Sequence, residues 1–151
     1  MKTGLIGLMI AGVLSSSAAF AHEKTACVKM TEQEVAAMFD RWNDSLKTGD
    51  AEKVSQNYLS DAVLLPTLSN KVRLTDEERI DYFNKFLAKK PTGHIDSRTI
   101  RTGCNKAIDT GTYTFTFGDG SKAAARYTFT YSWDGQKWLI SSHHSSAMPE
   151  G

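Results

Sequence analysis

The spacing of hydrophobic residues changes once along this chain, and the change divides it into two halves. Up to Pro91 apolar side chains recur at helical intervals; from His94 onward they alternate with polar ones. Thr31-Glu-Gln-Glu34 is a capping box, whose hydroxyl and carboxylate satisfy the free N–H groups of a helix start. Behind it Val35, Met38, Phe39, Trp42 and Leu46 share one face until Gly49 offers a stop. Asp50 caps a short second helix carrying Val54 and Tyr58, and Ala62-Val-Leu-Leu65 before Pro66 reads as a short buried strand. Thr75-Asp-Glu-Glu78 is a second capping box. It opens a helix with Ile80, Phe83 and Leu87 on one stripe, Tyr82 and Phe86 beside it, and Pro91 to end it. Four runs of period two follow, near 94–102, 106–117, 122–133 and 137–146. Gly118-Asp-Gly120 and Asp134-Gly135 supply residues that tolerate positive φ in hairpin turns. Helices first and strands afterwards predict an α+β domain, with three N-terminal helices packed on one face of a curved antiparallel sheet.

The first residues point to an expected address. Lys2, the apolar run Gly4 to Leu14 and the small residues of Ala19-Phe-Ala21 have the layout of a signal peptide over residues 1–21, so residues 22–151 are expected to be the mature chain, in the periplasm or secreted. The apolar run is shorter than the roughly 18 to 20 residues that span a bilayer, and no membrane partner is expected after processing. Residues 22–151 suffice for one domain with one core. Loss of Lys2 from 18 basic residues balances the 17 acidic ones, which leaves no electrostatic case for nucleic acid or an anionic membrane. Two cysteines remain, Cys27 and Cys104. In an oxidising compartment they are expected to pair as a structural disulfide, the alternatives being two buried thiols or an intermolecular link. Two cysteines make no metal centre, and neither a metal nor another cofactor is expected.

Phe39-Asp-Arg-Trp-Asn43, Thr48-Gly-Asp50, Asp61-Ala-Val-Leu-Leu-Pro66, Trp133-Asp-Gly135 and Trp138-Leu-Ile-Ser-Ser-His-His-Ser-Ser146 occur in an order that resembles a known family. They look like the bacterial relatives of the association (hub) domain of calcium/calmodulin-dependent protein kinase II, within the nuclear-transport-factor-2-like and SnoaL-like superfamily that also holds ketosteroid isomerases. The likeness spans roughly residues 31–149. It implies a cone-shaped sheet around a pocket, and self-association, with a homodimer expected. It does not import kinase activity, because the chain has no Gly-rich phosphate loop and no catalytic-loop motif. In the hub, arginines line the pocket; Tyr113, Thr128 and Ser145 stand at the matching places here.

Alternation along the third long strand puts Arg126, Thr128 and Thr130 on one face and Tyr127, Phe129 and Tyr131 on the other. Burial favours the aromatics inside, whereas the resemblance favours Arg126 and Thr128, with Arg126 able to grip a carboxylate. His143 and His144 must point to opposite faces; the family's usual histidine favours His144 and parity with Ser145 favours His143. Trp42, Tyr58, Tyr82 and Phe86 are candidates to roof the cavity. Asp40, Asp44 and Asp61 supply no convincing acid–base pair, and no serine sits in a Gly-x-Ser-x-Gly elbow. The leading expectation is an exported protein binding an unidentified small molecule of anionic or polar-aromatic character through Trp42, Tyr58, Tyr82, Tyr113, Arg126, Thr128, His143, His144 and Ser145. The alternatives are a cyclase, isomerase or dehydratase with a histidine base, and a purely structural assembly module.

Overall fold

A computed structural model describes residues 26–149, so the expected signal peptide lies outside the described residues. The elements run α1 (Glu32–Lys47), α2 (Ala51–Ser55), β1 (Tyr58–Leu65), α3 (Asp76–Leu87), β2 (Thr92–Gly103), β3 (Lys106–Thr116), β4 (Lys122–Trp133) and β5 (Trp138–Ala147). Both expected helix starts are present, one of them with a complete capping box: Thr31 Oγ1 accepts from the Glu34 amide while the Glu34 carboxylate accepts from the Thr31 amide, whereas Thr75 caps α3 through the Glu78 amide and the Glu78 carboxylate accepts from the Leu74 amide instead. The five strands form one sheet in the order β1-β5-β4-β3-β2, with β2 to β5 an antiparallel meander and β1 added parallel to β5.

Tyr58 departs from the expected short helix. The Asn57 side-chain amide donates to the Lys53 and Val54 carbonyls, which ends α2, and the Asn57 carbonyl accepts from the Ile140 amide, so Tyr58 opens β1. Between Tyr58 and Val63 the pairing with β5 slips. Carbonyls freed there are satisfied by Arg79 of α3, whose fully buried guanidinium donates to Leu59, Ser60 and Ala62 and also meets Asp76 at 2.6 Å. One buried charge therefore holds α3 against β1.

The concave face of the sheet is aromatic. Phe39 and Trp42 of α1 pack on Phe129, with ring centroids 6.1 and 5.4 Å apart, and Tyr127 and Tyr131 are buried on either side of Phe129. Burial wins over the arrangement that placed Arg126 and Thr128 inside: three aromatic side chains on that face remove far more apolar area from water than an arginine and a threonine. Helix α1 is fastened at its side by Asn43, which donates to the Gly93 carbonyl at 2.9 Å and accepts from its amide at 2.8 Å. Gly111 permits the bend of β2 over β3, since a Cβ there would lie 2.0 Å from the Ser97 carbonyl oxygen. Cys27 and Cys104 form a disulfide that ties the segment before α1 to the β2–β3 turn, and the Val28 amide donates to Asn105 beside it.

A β-bulge in β5 positions the site. Thr130 opposes Ser142 while Tyr131 opposes Ile140, so Ser141 is an extra residue, held to Thr130 by a 2.7 Å hydroxyl contact. Without it the inward residues after Ile140 would be Ser142 and His144. With it they are His143 and Ser145, opposite Phe129 and Tyr127.

Candidate functional site

Between the concave face, α3 and the loop after β1 lies a cavity of about 320 Å3. It exists because the inward positions at one end of β4 and β5 are small: Ala123, Ala125, Ser145 and Ala147 stand where larger side chains would close the gap. Trp42, Phe83, Phe86 and Phe115 make the buried walls, and Thr67, Leu68 and Lys89 the exposed end.

Along one wall runs a row of hydrogen bonds. Trp42 Nε1–H donates to Tyr58 Oη at 3.0 Å, and Tyr58 Oη lies 2.9 Å from His143 Nδ1. His143 Nε2 is 3.4 Å from Tyr113 Oη, Tyr113 donates to Ser145 Oγ at 2.6 Å, and Ser145 Oγ meets Thr67 Oγ1 at 2.5 Å. The imidazole is stacked on Phe129 with centroids 3.9 Å apart and presents an edge contact to Trp42. Burial, with the charge of His144 adding to it, pushes His143 down to about 3, so the ring is neutral at neutral pH. Burial likewise pushes Tyr58 and Tyr113 up, and Tyr82 up to about 12, so all three keep their protons. The wall is thus uncharged, hydroxyl-rich and set in apolar surroundings. It suits a small oxygen-bearing molecule, neutral or anionic, held by donated hydrogen bonds.

Of the expected site residues, Trp42, Tyr82, Tyr113, His143 and Ser145 line this cavity, and Tyr58 stands behind His143 in contact with it. Arg126, Thr128 and His144 do not. They share the convex face with Thr110, Thr112 and Ser146, because β4 pairs Arg126 with Ser146 and Thr128 with His144 away from the aromatic side. The Ser141 bulge decides between the two histidines, turning His143 into the cavity and His144 to the convex face. Thr67 was not expected; it lies in the loop after Pro66, where no periodicity marks a side chain. Ala123-Ala-Ala125, a run of small residues at a strand start, was the available sign of a cavity. Asp40, Asp44 and Asp61 are exposed. Buried Asp109 is a carboxylate away from the cavity lining: Tyr127 donates to it at 2.8 Å and Arg98 at 3.2 Å, and burial holds its carboxyl above the ordinary range. Among the described residues no three His, Cys, Asp or Glu side chains form a group that could hold a metal ion.

Sheet, helices and cavity define the nuclear-transport-factor-2-like, cystatin-like class of α+β proteins. Within that class the chain belongs to the calcium/calmodulin-dependent protein kinase II association-domain family, whose model matches residues 31–149. A Xanthomonas campestris protein named for that association domain is 52% identical, with a TM-score of 0.76 over 81% of this chain and 91% of that one. The iota-carbonic anhydrase from a cyanobacterium, complexed with bicarbonate, is 23% identical with a TM-score of 0.73 over 85% of this chain and 99% of that one. A Streptomyces avermitilis protein of the nuclear-transport-factor-2-like family, named as a dehydratase, is 15% identical with a TM-score of 0.69 over 78% and 96%. The last two share the fold alone. Among curated proteins no sequence matches the chain.

Proposed function

We propose that the cavity binds a bicarbonate-sized oxyanion and that the protein interconverts carbon dioxide and bicarbonate. The observation that carries this reading is the uncharged hydroxyl row of Tyr113, Ser145 and Thr67, with neutral His143 behind it, on the wall of a cavity that is largely apolar and has Lys89 at its exposed end. The fold likeness to a bicarbonate-bound carbonic anhydrase supports it.

The chemistry follows from the two faces of the cavity. Carbon dioxide is small and apolar, so it loses little on leaving water for walls of phenyl and indole rings. A water held by the Ser145 and Thr67 hydroxyls attacks its carbon, a C–O bond forms, and one C=O electron pair moves onto oxygen. That developing negative charge accepts a hydrogen bond from the Ser145–Thr67 hydroxyl pair, an interaction stronger in the transition state than with carbon dioxide itself. The proton leaves the attacking water for solvent at the exposed end. The apolar surroundings strengthen each donated bond, while the low basicity of His143 makes it a neutral partner of Tyr113 instead of the proton acceptor.

Export and self-association as a homodimer are part of the same proposal. Export is supported by the signal-like first 21 residues and by the disulfide, which suits an oxidising compartment. Stopped-flow carbon dioxide hydration by the purified protein tests the activity. The wild type is expected to exceed the buffer rate and Ser145→Ala to fall by about 100-fold, as for the loss of one oxyanion donor. A wild type no faster than buffer, with saturable bicarbonate binding retained, would reduce the proposal to a binding protein; absence of both would end it.

A further inference from the structure

Counting donors assigns the hydrogens of the polar row. An indole Nε1–H only donates, so at 3.0 Å it obliges Tyr58 Oη to accept. The single hydrogen of Tyr58 then has one partner, His143 Nδ1 at 2.9 Å, which must be the bare nitrogen of the ring. A neutral imidazole carries its hydrogen on the other nitrogen, Nε2, and that hydrogen faces Tyr113 Oη. Tyr113 passes its own hydrogen to Ser145. Ser145 and Thr67 then bring two hydroxyl hydrogens to a pair joined by one bond. One hydrogen is left over, and both residues line the cavity. In the opposite tautomer the Tyr58 hydrogen would have no acceptor among the described residues at its buried position behind the cavity, which disfavours it by about tenfold or more.

We propose that Tyr58, aimed by Trp42, is a positioning residue that holds His143 as the Nε2–H tautomer, so that the whole row donates outward and offers one spare hydroxyl hydrogen to a bound oxyanion. Its use rests on the reading of this cavity as a bicarbonate site; the tautomer itself does not. Two consequences follow. A ligand must present an acceptor atom beside Ser145 and Thr67, which admits carboxylate-like oxyanions and leaves a purely donating ligand unpaired. And because Trp42 Nε1 cannot take up a proton, the row is closed at its inner end: the proton released on hydration leaves past Thr67 and not through the core.

The test is a two-bond proton–nitrogen correlation spectrum of the full mature chain, labelled with 15N at histidine and recorded near pH 7 without ligand, with His143→Gln to assign the signals. The wild type is expected to show a bare Nδ1 and a protonated Nε2, and Tyr58→Phe, which removes the donor to Nδ1 found among the described residues, to populate both tautomers. Hydrogen on Nδ1 in the wild type, or an unchanged spectrum in Tyr58→Phe, would overturn the assignment. Should Tyr58→Phe fail to fold, the wild-type spectrum decides, and Trp42→Phe, which opens space for a water able to donate or accept, serves as second variant with the same expected mixing. Carbon dioxide hydration measured in parallel separates the two ideas. Activity with hydrogen on Nδ1 removes this inference alone, and the expected tautomer without activity removes the proposed reaction alone.

Discussion

Acidification should destabilise this protein through His143. The unfolded chain takes up a proton on this ring near 6.5, whereas the folded chain does so only near 3, because the ring is buried between Phe129, Trp42, Tyr58 and Tyr113 with no acid beside it. The unfolded state therefore binds more protons between those values. Stability is complete above pH 6.5, falls as pH drops toward 3, and then loses nothing further from this group. Each unit costs about 1.4 kcal/mol, so the step from pH 6.5 to 4.5 removes about 2.7 kcal/mol, or about 1–2 M in urea midpoint for a domain of this size. Glu78, whose carboxyl is held at about 2 by the Leu74 amide and Lys71, loses its own contribution mainly below its ordinary 4.5, and Asp109, whose carboxyl burial raises, acts in the opposite direction; the His143→Gln variant keeps both, so the difference between the two proteins isolates the histidine. His143→Gln keeps an amide donor and acceptor near Tyr58 and Tyr113 but cannot titrate. Urea unfolding of both proteins at pH 7.0, 5.5 and 4.5 is the measurement. Wild-type stability is expected to fall steeply and the variant to stay nearly level; parallel curves would show that the ring is solvated or already charged in the folded state.

Filling the cavity with Ala125→Leu is expected to abolish bicarbonate binding while shifting unfolding by about 1 kcal/mol or less, because the added carbons enter space that is already there; retained binding would move the site elsewhere. Arg126→Ala and His144→Ala should leave binding unchanged within about twofold by titration calorimetry, since both side chains lie on the convex face. Arg79→Met is expected to cost about 3–5 kcal/mol in urea, through the unpaired carbonyls of Leu59, Ser60 and Ala62 and the loosened contact of α3 with β1.

Local rules carried most of the fold. Capping boxes at Thr31 and Thr75 and the switch from helical to alternating spacing mark α1, α3 and the meander, because each is set by residues within a few positions of one another. Tyr58 fell on the wrong side of the α2 boundary because Asn57 ends the helix through a side chain that suits a helix stop and a strand start equally well. The site was harder to read. Trp42 stood out on the apolar face of its helix, and Tyr113 and Ser145 through the family resemblance, yet choosing between His143 and His144 required the Ser141 bulge, which depends on how β5 meets β4. Thr67 reaches the row only because β1 pairs in parallel with β5, a contact between segments some 80 residues apart that no local pattern announces. Arg126 misled for the opposite reason. Its charge made it the obvious partner for an anion, while the aromatic side of the same strand had the stronger claim to the interior.

Crystals soaked with bicarbonate and examined by diffraction would address the hydroxyl-row site most directly. The anion is expected within hydrogen-bond distance of Ser145 and Thr67, inside the cavity and close to Tyr113. Density confined to the convex face beside Arg126 and His144, or a cavity still holding only water at saturating bicarbonate, would be incompatible with it.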